Sequence, residues 1–148
     1  MVLEKSFQLH LAEPPEHLLQ PEQVFAGKPP FGELTRQDTT LQGYLVAEAP
    51  LFGEIHFPFQ SRIHPEGSTA RLEAIPLPDP PNFWAELEGS GAVVENGINY
   101  QLTLRIHATL PQGEKWGGRA LGRLAEAAFE RNVERVLGRL ARAWPGRA

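Results

Sequence analysis

The side chains best equipped for chemistry are five histidines and a short row of carboxylates, and their spacing decides what each could do. His10, His56 and His107 fall on the polar side of strand-like runs, so three imidazoles on one sheet surface could converge on a metal ion. No carboxylate spacing supplies the outer partners that orient ligating imidazoles, and a solvated sheet surface accounts for the same positions. Glu86 and Glu88 lie two apart on one face of a single strand, where a carboxylate pair could divide acid and base work or simply meet water. There is no nucleophile elbow, P-loop, dinucleotide glycine fingerprint or helical zinc-binding histidine pair. The chain has no cysteine, which removes disulfides, thiolate nucleophiles and zinc-thiolate sites together. The expectation is therefore no catalytic residue, no resident metal and no cofactor.

Those residues must be positioned by elements that the hydropathy pattern defines. Leu3, Phe7, Leu9 and Leu11 share one face and Ser6, Gln8 and His10 the other, the two-residue period of a half-buried strand. Pro15 suits the first turn of a short helix through Leu19, and Pro21 limits any continuation to Val24 and Phe25. Residues 27–32, with two prolines and two glycines, read as a loop. Strand-like runs follow at 34–40, 43–49, 52–63 and 69–77, with breaks short enough for antiparallel neighbours. Pro58 calls for an edge or a bulge, and residues 65–68 for a tight turn. In the run 83–94, Gly89-Ser90-Gly91 marks a bend, a bulge or a close approach. Asn96-Gly97 is the strongest two-residue hairpin signal, because both central positions of that turn need positive φ.

The last two elements carry the clearest pattern. Ile98, Tyr100, Leu102, Leu104, Ile106, Ala108 and Leu110 alternate with Asn99, Gln101, Thr103, Arg105, His107 and Thr109, so one side of this strand must be buried. Residues 114–144 read as one amphipathic helix, about 45 Å long at ~1.5 Å per residue. Its apolar stripe runs from Leu121, Leu124, Ala125 and Ala128 to Val133, Leu137, Leu140 and Trp144. The first half of the buried side is small, with Gly118, Gly122, Ala125 and Ala128, which lets a sheet come close or leaves room for a guest.

Composition narrows the classes. The 148 residues fit a single domain, 1–148, long enough to bury a core. A net charge of −4 lacks the basic excess of a nucleic-acid binder, and no apolar stretch is long enough for a membrane span. The N-terminal residues alternate and carry charge where a signal peptide needs an apolar run, so a cytoplasmic location is expected. Residues 1–112 hold 6 basic and 14 acidic side chains, while 113–148 hold 8 and 4, which makes the helix end basic and the sheet acidic. The preference for Arg over Lys, with many prolines, fits a thermophilic or GC-rich source.

The order of strand, broken short helix, antiparallel strands and long terminal helix resembles the START-like (SRPBCC, helix-grip) superfamily of lipid-transfer proteins, polyketide cyclases and coenzyme Q binding proteins. The residues that carry the resemblance are Ala12-Glu13-Pro14-Pro15-Glu16-His17-Leu18-Leu19 at the strand-to-helix entry, and Trp116-Gly117-Gly118, Asn132-Val133-Glu134 and Leu137 towards the end. Within the superfamily the chain is most similar to proteins like the G subunit of carbon monoxide dehydrogenase and to an uncharacterised bacterial family. The resemblance implies an α+β fold, with an antiparallel sheet of six or seven strands wrapped around a long C-terminal helix and an apolar tunnel between them. The loop 27–32 is short and lacks the Trp-containing segment of relatives, which implies a reduced tunnel.

Three function classes follow. A carrier or sensor of a small hydrophobic ligand would be lined by Tyr100, Leu102, Leu104, Leu121, Ala125 and Ala128, with Tyr100 as its polar contact; the same residues also describe a packed core with a buried tyrosine. An assembly module would dock a protein partner on the basic C-terminal helix through Arg135, Arg139 and Arg142. A cyclase or hydrolase ranks last, because the best-patterned strand turns one polar side chain inward.

Overall fold

The computed structural model describes residues 2–25, 31–49, 53–109, 127, 128, 130–132, 134 and 135. Its strands are β1 (Val2–Leu11), β2 (Phe31–Gln37), β3 (Thr40–Ala49), β4 (Gly53–Glu66), β5 (Thr69–Ile75), β6 (Phe83–Val94) and β7 (Gly97–Ala108). A 3₁₀ turn (Pro15–Leu19) and the short α1 (Pro21–Val24) link β1 to β2. All seven strands form one antiparallel sheet in the order β1-β7-β6-β5-β4-β3-β2, so the first strand lies beside the last.

β7 explains why this arrangement is specified. It pairs along its length with β1 on one side and β6 on the other. Its residues Ile98, Tyr100, Leu102, Leu104, Ile106 and Ala108 are each at most 4% exposed. A one-residue slip would turn that whole row to the outer face, at roughly 1.5–3 kcal/mol for each large apolar side chain, so the register is locked. Phe7, Leu9 and Leu11 of β1 and Ala85 and Leu87 of β6 extend the same buried face.

The sheet curls where β5 leaves β6. Their register covers only Thr69 to Leu72 against Gly89 to Ala92. Beyond that point β4 packs directly on β6. Ser61 of β4, fully buried, donates its hydroxyl to the Leu87 carbonyl at 2.5 Å and so satisfies a group beyond the reach of the β5 ladder. Gly89 allows the bend, since its φ is 152° and a Cβ there would fall on the Gln101 carbonyl of β7.

Several expectations needed correction. Phe31 and Gly32, read as loop, begin β2, because Phe31 pairs with Leu45 and buries its ring among other aromatics. The run 34–40 is broken at Asp38, whose φ of 56° turns the chain from β2 into β3. The turn after β4 is Gly67-Ser68, so Pro65 and Glu66 remain in the strand. The last hairpin turns through Glu95-Asn96, with Val94 opposite Gly97. Gly97 is needed for space instead, since a Cβ there would meet the Leu11 carbonyl of β1. Pro58 fits its expectation locally: β5 begins its pairing at Gln60, leaving one side of β4 open beside the proline.

The seven-stranded sheet is the one expected of a helix-grip architecture. Of the expected helix over 114–144, residues 127, 128, 130–132, 134 and 135 are helical, with Ala128 and Asn132 half-buried and the other five exposed. Leu121, Ala125, Arg139, Arg142 and the remainder of that helix lie outside the described residues. Among the described residues no helix is long and apolar enough to cross a membrane.

Candidate ligand-binding site

The 3₁₀ turn and α1 form a short cover over one end of the buried face. Pro14 enters with an extended ψ of 151°, Pro15 supplies the preset φ of a first turn, and Pro21 restarts the chain as α1. This places Leu18, Val24 and Phe25, all buried, against the strands. The Phe25 ring lies 5.4 Å from that of Tyr100 and 5.0 Å from that of Phe31, and Phe31 in turn meets Phe59 edge-on at 6.4 Å. Opposite Tyr100 in register is Gly91, where a Cβ would come within 2.7 Å of the tyrosine ring and 3.1 Å of Leu18. The glycine that the pattern marked as a close approach is thus the seat of the Tyr100 ring.

Among the described residues, two polar atoms at this end have no partner. The Tyr100 hydroxyl and Glu22 Oε1 are both buried without a hydrogen bond, although Tyr100 is only 4% exposed. An unmade hydrogen bond in such a place costs about 1–3 kcal/mol. The other carboxylate oxygen of Glu22 accepts from Arg36 Nε at 3.1 Å, and Glu13 Oε1 holds His17 Nδ1 at 3.0 Å. Burial pushes the Tyr100 phenol well above its ordinary pKa, and the negative charges of Glu13 and Glu22 push it further in the same direction.

Of the six residues expected to line a ligand, Tyr100, Leu102 and Leu104 stand along the buried face of β7. With ~3.3 Å of rise per residue, Leu104 lies about 13 Å along the strand from Tyr100. Ala128 is half-buried on its helical segment, while Leu121 and Ala125 lie outside the described residues. The sequence reading missed Glu22, Phe25, Phe31 and Phe59. The proline breaks flanking Phe25 and Phe31 were the one local sign that these rings are steered to a common place.

The outer face is chemically different. His10, His56 and His107 do not converge: they hold Asn99, Glu54 and Glu86 respectively, at 2.6, 2.7 and 2.7 Å. Among the described residues no group of three or more His, Cys, Asp or Glu could hold a metal ion. Glu86 and Glu88 turn to Arg105, at 3.4 and 2.7 Å, with Glu4 at 3.7 Å, so they act as partners of a guanidinium and not as an acid and base pair. The hydrogen bond to Glu88 leads the causes that raise the Arg105 pKa. The His107 ring stacks on Trp84 at 3.9 Å beside this cluster. A pocket of about 430 Å³ is walled by Gln8, His10, Ser90, Asn99 and Gln101 together with Leu9, Gly91 and Tyr100.

The chain belongs to the family described as "Protein of unknown function (DUF3809)", whose model matches residues 4–138. No curated protein matches it. Among solved structures, the di-domain ARO/CYC BexL from the BE-7585A biosynthetic pathway is 12% identical over 99% of this chain, with a TM-score of 0.43. The chain covers 51% of BexL, about half of that protein's length. TTHA0849 from Thermus thermophilus is 16% identical over 93% of this chain and 92% of its own, with a TM-score of 0.44. The Zhui aromatase/cyclase from Streptomyces sp. R1128 is 13% identical over 98% and 96%, with a TM-score of 0.38. These are folds of the SRPBCC or polyketide cyclase type, the superfamily that the sequence resembles. Superpositions this loose carry no residue role, ligand or activity across.

Proposed function

We propose that this member of the DUF3809 family binds or carries a small apolar molecule of lipid, quinone or polyketide-like character, without catalysis, between the sheet and the C-terminal helix. On this reading Tyr100, Leu102 and Leu104 would line the ligand from the sheet, and Leu121, Ala125 and Ala128, the residues expected from the sequence, would line it from the helix. The observation that carries this reading is the Tyr100 hydroxyl, buried and unpartnered among the described residues, on a ring that packs against Phe25 and through it reaches Phe31 and Phe59. A purely structural core would be served better by phenylalanine, which fills nearly the same volume and leaves no orphaned donor. Pockets for small molecules combine apolar walls with a few placed polar groups, and this end of the buried face has that composition.

Native mass spectrometry of freshly purified protein tests the proposal. A carrier shows an added mass that organic extraction removes, and the extracted protein melts at lower temperature because a ligand held only by the native state stabilises it. A homogeneous apoprotein mass, together with no melting shift on adding apolar compounds, would remove the basis for a ligand.

A further inference from the structure

We infer that the polar face of the sheet carries a binding site for a neutral molecule rich in hydroxyl groups, a sugar or a cyclic polyol, across β1, β7, β6 and the start of β5. The site is separate from the buried face, so the inference goes beyond the carrier reading and stands or falls without it.

The register fixes what this site contains. Gln8, Gln101 and Ser90 are directly paired across β1, β7 and β6, and His10, Asn99, Ala92 and Thr69 form a second row that reaches β5. Between the two rows run Leu9, Tyr100 and Gly91, and the Leu9 and Tyr100 side chains are buried. Side chains alternate along a strand, so both polar rows share the face opposite to that of Leu9 and Tyr100. Together these residues wall the pocket of about 430 Å³, a volume within the ~300–1,000 Å³ of small-molecule sites. Ala92 puts only a methyl between Asn99 and Thr69, so the second row dips there.

The hydrogen-bonding groups of the two rows are of both kinds. His10 Nδ1 donates to Asn99 Oδ1 at 2.6 Å, which fixes the Asn99 amide and leaves its N–H groups, with His10 Nε2 as an acceptor in the neutral ring, to a ligand. Thr69 donates its hydroxyl to the Glu66 carbonyl at 2.8 Å and keeps a lone pair. Gln8, Gln101 and Ser90 have no side-chain hydrogen bond among the described residues, and each can both give and accept. Arg71, opposite Ser90 in register, is held by Glu66 at 3.4 Å. A ligand hydroxyl also gives one hydrogen bond and accepts others, so several hydroxyls on one ring can answer these amides in either orientation. A phosphate or a carboxylate only accepts; it would use the N–H and O–H groups alone and set its charge against the amide oxygens and His10 Nε2. An apolar molecule would take water from these amides and return no hydrogen bond.

The test is an NMR titration of the intact, isotope-labelled chain at neutral pH. Glucose, maltose and myo-inositol are the neutral polyols, inositol monophosphate is the anion, and cyclohexanol is a ring with a single hydroxyl. At least one of the polyols is expected to shift the side-chain amide signals of Gln8, Asn99 and Gln101 saturably, and to bind at least about fivefold more tightly than the phosphate or cyclohexanol, the worth of one neutral hydrogen bond. Gln101→Ala, at an exposed position of β7, is expected to weaken that binding about fivefold, and its backbone amide spectrum shows whether the fold is kept. The wild-type preference needs no variant at all. Pocket signals that stay in place with all of the polyols overturn the inference, and so does an unchanged affinity in folded Gln101→Ala. Binding of the phosphate or of cyclohexanol as tight as that of the polyols also overturns it, because the site would then answer to charge or to apolar surface.

Discussion

Replacing Tyr100 by Phe should stabilise the ligand-free protein while weakening its hold on a ligand, a pairing of signs that a structural tyrosine would not give. The hydroxyl is buried and unpartnered, so its removal relieves a penalty of about 1–3 kcal/mol. The small void that remains offsets a fraction of this, which leaves a net gain of about 1–2 kcal/mol. For a domain of this size, that raises Tm by roughly 2–8 °C. The phenol also predicts a pH dependence. Its folded pKa lies above the ordinary value of 10.0, so its contribution is fully present below that value and is lost as pH rises through the folded one. Wild-type stability should therefore fall above pH 10.0 with a slope of up to ~1.4 kcal/mol per pH unit. Tyr100→Phe should lack that component, and the difference between the two proteins cancels Tyr44 and the lysines. Urea unfolding of ligand-stripped samples at neutral and alkaline pH measures both effects. A loss of more than about 1 kcal/mol at neutral pH in Tyr100→Phe would mean that the hydroxyl has a partner in solution, and the argument from an orphaned donor would fail.

Ser61→Ala leaves the buried Leu87 carbonyl without its donor, and we expect a loss of about 1–3 kcal/mol by urea unfolding; an effect near zero would show that another donor or water takes its place. Gly91→Val forces side-chain atoms into the Tyr100 ring and Leu18, with an expected loss of about 1–3 kcal/mol and reduced binding of any apolar probe; unchanged binding would separate the ring's seat from the site. Arg105→Met leaves Glu4, Glu86 and Glu88 without their shared cation, with an expected loss of about 1 kcal/mol that shrinks in high salt; a salt-independent loss would point to packing instead of charge.

What the sequence made legible follows from how local each signal is. The inward row of β7 is a strict alternation over eleven residues from Ile98 to Ala108, and every member of it is buried. The proline entry at Pro15 and Pro21 depends on backbone constraints within a few residues, and both short helices lie where those constraints put them. The hairpin turns were misplaced by a residue or two because their positions answer to neighbouring strands. Gly97 is a glycine on account of Leu11 in β1, which no local pattern at Asn96 records. Phe31 was read as loop because prolines and glycines surround it, yet pairing with Leu45 and contact with Phe25 outweigh that composition. Of the residues expected to line a ligand, the alternation of β7 was enough to turn Tyr100, Leu102 and Leu104 to the buried face. Glu22 gave no local signal, and it draws notice only where the fold sets α1 beside β2 and Arg36 takes one of its two oxygens.

The distribution of satisfied and unsatisfied groups separates the two faces of the sheet. All five histidines have a side-chain partner within 3.1 Å, and Arg105 gathers three carboxylates, so the outward ionisable groups are well supplied even where water could serve them. The two orphaned side-chain atoms among the described residues are Glu22 Oε1, on the short cover itself, and the Tyr100 hydroxyl on the buried face, where an unmade hydrogen bond is most costly. The Tyr100 hydroxyl can donate and accept, whereas Glu22, when ionised, can only accept, so a partner reaching either atom would relieve a separate penalty. On the carrier reading a bound ligand supplies the missing hydrogen bond at Tyr100, so adding ligand should raise the melting temperature of wild-type protein more than that of Tyr100→Phe.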